Sequence, residues 1–332
     1  MNALELARVL PALLELGQPA FLWGPPGVGK SSVVHQVAAA AGLMVRDIRL
    51  AMCDPTDLRG IPFYDPEQRI ARWAPPEFLP KDGHGVIFLD ELNAAPPAVQ
   101  AAAYQLVLDR KLGEYTLPEG YRILAAGNRQ SDLAVVYRMP SPLANRFCHL
   151  ELEPDLESWR RWAYARGLNP AVAGFLSFRP QLLLAFDREK AGGAFPTPRS
   201  WEFVARILSA QNLPEESRLA AISGCVGQAA AIELLAFLEV ASRLPDANAI
   251  LDGKYDSVPA QLSVIYALVG SLIYALRSNP SPERRDRFVS YTMKLPAEFA
   301  VLAAREALAM KLPLGESPRW ARWIERFGDL VL

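Results

Sequence analysis

AFLWGPPGVGKSS, residues 20–32, is the stretch from which the rest of the chain can be read. Ala20, Phe21, Leu22 and Trp23 form a short apolar run of strand character. Residues 24–31, GPPGVGKS, fit the G-x-x-x-x-G-K-[ST] phosphate-loop pattern in full, and an apolar, helix-like segment follows. Glycines at 24, 27 and 29 permit conformations that other residues resist. The loop of Gly24, Pro25, Pro26, Gly27, Val28 and Gly29 can therefore turn its N–H groups inward to cradle phosphate oxygens, with Lys30, Ser31 and Ser32 opening the helix behind it. In such a site Lys30 reaches the β- and γ-phosphates and Ser31 ligates Mg²⁺ through its hydroxyl.

Outward from this loop the chain alternates strands and helices. Residues 3–16 place Leu6, Leu10, Leu13 and Leu14 near helical spacing and stop at Gly17. Residues 32–41 continue as helix and 44–50 read as a second strand. Residues 61–64 and 69–73 look like a hairpin around Asp65-Pro66-Glu67-Gln68, inserted at about 59–75. VIFL, residues 86–89, is the kind of run that a parallel sheet buries on both faces. Residues 96–109 are helical in pattern, 112–121 suggest a small hairpin around Pro118-Glu119-Gly120, and 122–126 read as another buried strand. Ser141-Pro142 signals a helix start, leading to Asn145-Arg146 and a last strand, 147–152. The expected fold is α/β: a doubly wound parallel sheet over residues 1–154, then an all-helical region, 155–332. In that region Thr197-Pro198, Ser281-Pro282 and Ser317-Pro318 look like further helix starts.

Composition bounds the partners. With 332 residues, 51% hydrophobic, and a formal charge of −1, the chain has no general bias toward polyanions, so nucleic acid is not implied. Cys53, Cys148 and Cys225 are widely spaced and odd in number, which argues for a reducing compartment; no basic segment precedes the first apolar residues, so the cytoplasm is expected. Residues 257–276 carry no charged side chain and approach a membrane span in length, but Pro259, Gln261, Ser263, Gly270 and Ser271 favour a buried helix. His35, His84 and His149 share no metal-ligand spacing.

A phosphate loop alone leaves many nucleotide enzymes open. Asp90, at the end of its strand, fits the carboxylate that holds Mg²⁺ through its water shell, at the sheet edge where nucleotide chemistry belongs. Glu91, one residue on, can polarise an attacking water as general base. Asn128, at the tip of the next strand, is placed to hydrogen-bond the γ-phosphate or that water, although Asn after Gly is also ordinary turn chemistry.

GPPGVGKS, VIFLDELN, ILAAGNR, PSPLANRF and TPRSW, in that order, resemble the AAA+ ATPases over residues 17–205, and within them the MoxR group that includes CbbQ- and NorQ-like proteins. The resemblance implies an ATP hydrolase using ATP and Mg²⁺, with Lys30 and Ser31 as the Walker A pair, Asp90 and Glu91 as Walker B and Asn128 as the sensor of the γ-phosphate. It implies that Arg146 is an arginine finger completing the site of a neighbouring subunit, which makes a ring, usually hexameric, the active unit. Arg199 matches a second sensor from the helical lid; an Arg in a first helical turn opposes the helix dipole, so it needs another reason to stand there. Arg138 is a further candidate for a contact in trans. Both hairpins tend to face the central pore in such proteins, where Phe63, Tyr64 and Trp73 would grip a client or else close a local cluster. MoxR-like proteins commonly act with a partner bearing a von Willebrand factor A domain. Two other readings stay open: an ATP-driven motor on DNA, which the near-neutral charge disfavours, and a nucleotide-switched scaffold, which Glu91 and Arg146 disfavour.

Overall fold

Short apolar runs become the strands of one parallel sheet. The computed structural model describes residues 1–132, 136–186, 193–241 and 245–330, and it divides into two compact units, Met1–Pro154 and Asp155–Leu332. In the first unit, β1 (Ala20–Trp23), β2 (Met44–Arg49), β5 (His84–Asp90), β8 (Gly120–Gly127) and β9 (Cys148–Glu151) lie in the order β2-β5-β8-β1-β9, every pair parallel. Alternation along each strand feeds two cores. Phe21, Ile87, Leu89, Ile123 and Ala125 face one side, against Val99, Ala102, Ala103 and Leu106 of α4 (Pro97–Asp109). Ala20, Leu22, Val86, Phe88, Leu124 and Ala126 face the other, against α1 (Ala3–Leu16) and α2 (Lys30–Ala40). At roughly 1.5–3 kcal/mol for each large apolar side chain fully buried, these two layers are what fix the strand tips in place.

Helix ends follow their caps. Asn2 and Glu5 form a reciprocal capping box at the start of α1, and Gly17 closes it in the left-handed conformation. α3 (Pro55–Arg59) precedes an antiparallel hairpin of β3 (Ile61–Asp65) and β4 (Ile70–Ala74), in which Ile61, Phe63, Tyr64 and Ile70 are exposed.

Three local expectations need correction. The second hairpin pairs β6 (Lys111–Leu112) with β7 (Tyr115–Thr116), so it turns at Gly113-Glu114, where Gly113 takes φ +58°. Pro118-Glu119-Gly120 instead turns the chain into β8, through Tyr121 N–H donating to the Pro118 carbonyl. Two adjacent turn signals were available, and Gly113, at positive φ, took the hairpin, while Gly120 is already the first residue of β8, paired with His84. At α5 (Ser141–Ala144) the cap position is Pro140, and Ser141 makes no side-chain cap. Ser317-Pro318 belongs to a turn in which the Ser317 hydroxyl accepts from Arg319 N–H, and the helix begins at Trp320.

The second unit contains no strand among the described residues. Its helices are α6 (Leu156–Ala165), α7 (Pro170–Phe178), α8 (Pro198–Ser209), α9 (Glu215–Val226), α10 (Gln228–Ala241), α11 (Ala247–Leu251), α12 (Leu262–Ser278), α13 (Pro282–Thr292), α14 (Ala297–Ala309) and α15 (Trp320–Phe327). Trp201, Phe175 and Val204 centre one core; α12, whose Leu268, Leu272 and Ile273 are wholly buried, centres another with Phe288, Phe299 and Trp323. No described helix is long and apolar enough to cross a membrane. Thr197 and Ser200 form a capping box at α8, and the Ser281 hydroxyl accepts from Arg284 N–H at α13.

Within this unit Arg160 Nη2 meets Glu306 Oε1 at 2.5 Å, both side chains almost enclosed, and Tyr164 donates its hydroxyl to Glu306 Oε2 at 3.2 Å. Burial pushes the Glu306 carboxyl up, and Arg160 and Tyr164 pull it back. Removing Arg160 leaves that carboxylate unpaired, so Arg160→Ala should cost about 3–5 kcal/mol in denaturant unfolding. The sign with pH follows: a carboxyl raised on folding stabilises while protonated and loses that contribution as pH climbs through its folded-state titration. The variant should therefore lose stability more steeply than the parent as pH rises above the ordinary Glu value of 4.5.

Candidate functional site

The loop after β1 is shaped by its glycines in two ways. Gly27 (φ +75°) and Gly29 (φ +107°) hold left-handed conformations, whereas Gly24 is needed for space, since a Cβ there would lie 2.6 Å from the Leu152 oxygen. Pro25 is buried, Val28 N–H donates to the Pro25 carbonyl at 3.4 Å, and Val28 packs on the core beneath α2. α2 starts at Lys30 from Gly29 with no side-chain cap, unlike α1, so its first-turn N–H groups remain available to an anion. Ser32, in that turn, is exposed.

Lys30 is 9% exposed, and its ammonium donates to Gly24 O at 2.7 Å, Pro25 O at 3.2 Å and Asn128 Oδ1 at 2.8 Å. Register makes the last contact possible: Trp23 pairs with Gly127, which sets Asn128 beside the loop. On the other flank, Ser31 Oγ donates to Asp90 Oδ2 at 2.8 Å, while Asp90 Oδ1 accepts from Glu91 N–H at 2.9 Å. Both Asp90 oxygens are thereby oriented. Ser31 and Asp90 offer hard oxygens side by side, the donor type that suits Mg²⁺, which takes one or two carboxylates and completes its shell with phosphate and water.

Glu91 is strained: it holds φ +56°, ψ +33°, a conformation costing a non-glycine residue roughly 1–2 kcal/mol. Its side chain is exposed, and its carboxylate makes no hydrogen bond or ion pair among the described residues.

The sequence reading missed Asn93. This residue is 3% exposed, and its side chain brackets the Asn128 backbone: Nδ2 donates to Asn128 O at 2.7 Å and Oδ1 accepts from Asn128 N–H at 3.2 Å. Its only signal lay in its position two residues past Glu91, in VIFLDELN. Arg129, beside Asn128, reaches Glu153 at 2.6 Å, Asp132 at 3.3 Å and Glu151 at 3.6 Å, anchoring the same tip to the end of β9. Gly127 leaves the room for Asn93, because a Cβ would fall 2.1 Å from Asn93 Oδ1 and 2.8 Å from Phe21 Cζ. Gly127→Ala should cost about 1–3 kcal/mol, as overpacking does, visible as a lowered Tm.

Arg146 is not part of this group. Its backbone is pinned, with the carbonyl accepting from Gln18 Nε2 at 3.1 Å and its N–H donating to Leu143 O, but the guanidinium is exposed and unpaired among the described residues. A surface hollow of about 660 Å³, lined by Ser141, Pro142, Ala144, Asn145, Phe147 and His149, opens at its sequence neighbours. Trp23 Nε1–H donates to His149 Nδ1 at 2.8 Å, so the exposed ring directs Nε2–H at the Ala144 carbonyl at 2.8 Å. Arg138 is exposed and unpaired among the described residues. Arg199, the second residue of α8, is an exposed side chain of the helical unit.

Residues 20–150 match the family model described as "ATPase family associated with various cellular activities (AAA)". The matched residues lie within the α/β unit, from β1 into β9. Midasin from Giardia intestinalis is 29% identical over 161 residues, which is 46% of this chain and 3% of that protein. Among solved structures, a RuvB variant from Thermotoga maritima aligns with TM-score 0.41 and 18% identity, covering 82% of each chain. NtrX from Brucella abortus, solved with ADP, aligns with TM-score 0.41 and 15% identity over 98% of this chain and 68% of its own.

Proposed function

We propose that this AAA-domain chain is a ring-forming, MoxR-type ATPase that spends hydrolysis of ATP on remodelling, maturing or activating a partner protein. One observation carries the reading: Lys30, Ser31, Asp90 and Asn128 converge at the strand tips with Glu91 unpaired beside them, while the Arg146 guanidinium has no partner in its own protomer among the described residues.

In this reading the phosphates lie on the loop and the uncapped start of α2, with Lys30 exchanging its carbonyl contacts for the β- and γ-oxygens. Ser31 and Asp90 would hold Mg²⁺, which when bound neutralises charge on the phosphates. Glu91 takes the proton of the attacking water, and Asn128 orients the γ-phosphate or that water. Arg146 from the adjoining subunit stabilises charge on the transferred phosphoryl group. Arg199 is the second sensor, and the exposed Phe63 and Tyr64 of the β3–β4 hairpin are the contacts offered to a client or to a partner with a von Willebrand factor A domain.

Sedimentation of the Glu91→Gln variant with ATP tests the assembly. A ring-sized particle, hexameric by the family habit, is expected; a monomer at every concentration, with undiminished parent ATPase, would remove the ring and the role of Arg146 together. Salt-sensitive stimulation of turnover by DNA would favour the motor reading instead.

A further inference from the structure

Asn93 sits in a single tight turn, Leu92–Ala94, between the general-base candidate and α4. Its buried side chain grips the Asn128 backbone through both of its polar atoms, and its own carbonyl accepts from Tyr137 N–H at 2.7 Å. Three segments meet on this one residue: the turn carrying Glu91, the β8 tip whose Asn128 Oδ1 contacts Lys30, and the stretch leading into Arg138. A carboxamide suits the task because one planar group supplies both a donor and an acceptor, matching a peptide edge; a carboxylate of the same shape lacks the donor.

We propose that Asn93 is a positioning residue for hydrolysis: by gripping the Asn128 backbone it holds the sensor side chain against Lys30 in one geometry. This rests on the reading of Asn128 and Glu91 given above. Asn93 itself touches neither the phosphates nor the water, and acts through Asn128.

Asn93→Asp, Asn93→Ala and Asn128→Ala, with the double variant Asn93→Asp/Asn128→Ala, are compared in the full chain. Asn93→Asp should lower kcat by ~10- to ~100-fold, the scale of a group misplaced by about 1 Å, while affinity for a non-hydrolysable ATP analogue shifts less than ~3-fold. Loss through Asn128 means that the double variant is no slower than Asn128→Ala alone. Parent-like kcat in Asn93→Asp, or losses that multiply in the double variant, would overturn the proposal. A purely structural role would instead lower analogue binding and Tm together, leaving the kcat of bound enzyme unchanged.

Amide hydrogen exchange over residues 121–132 gives a readout independent of turnover. The Asn128 amide should lose protection in Asn93→Ala, and unchanged exchange there would count against the tether. If the parent chain fails to hydrolyse ATP, or Glu91→Gln is as active as the parent, the site reading falls while the exchange result still decides the tether.

Discussion

Glu91→Gln is expected to bind ATP as the parent does and to turn it over at least ~10²-fold more slowly, the loss that accompanies removal of a general base. The backbone gives the reason. A non-glycine residue held at φ +56° persists only where surrounding structure over-determines it, and here Asp90 Oδ1 grips the Glu91 N–H while Asn93, two residues on, ties the turn to the Asn128 backbone. The product of that strain is a pair of adjacent carboxylates doing different things. Asp90 is bound to Ser31, and Glu91 is free to face water. Glutamine keeps the shape and removes the basicity, so binding measured with a fluorescent nucleotide should survive while steady-state phosphate release collapses. Turnover like that of the parent would exclude Glu91 from the chemistry.

Arg146→Ala is expected to lower turnover by about 10³-fold or more, within the range that an arginine supplied from outside a site contributes in related NTPases. Its position argues for action at a distance from its own loop. Gln18 and Leu143 hold the backbone, while the guanidinium makes no hydrogen bond to the Lys30, Asp90 and Asn128 group and is exposed. Lysine at this position should rescue poorly, because a point charge replaces a planar fork of donors. Nucleotide affinity should change little compared with Lys30→Ala, which removes the ammonium that Gly24, Pro25 and Asn128 orient. Measuring turnover and affinity together separates the two roles.

The sheet was legible because its signals were local and redundant: VIFL and the run before GPPGVGKS had to be buried strands, and the glycine pattern forced a loop between strand and helix. Ser31 and Asp90 could be paired on motif grounds before any distance was known. Asn93 could not, since its partners are the backbone of Asn128 and Tyr137, and backbone atoms leave no mark on side-chain identity. The hairpin at 111–116 was misplaced for a related reason: two turn signals lay within a few residues, and only the pairing of Gly120 with His84 in the central sheet separated them. Ser317-Pro318 misled because the serine that caps a helix and the serine that closes a turn use the same hydroxyl acceptor.

Mixing two inactive variants tests the shared-site claim most directly. Glu91→Gln retains Arg146, and Arg146→Ala retains Glu91, so co-assembled rings should regain activity at up to about a quarter of their sites under random mixing in a closed ring with head-to-tail interfaces. ATP turnover rising well above the sum of the two variants, and falling on dilution, is the predicted result. A mixture that stays at that sum under conditions where both variants co-assemble would show that each protomer hydrolyses ATP with its own residues alone.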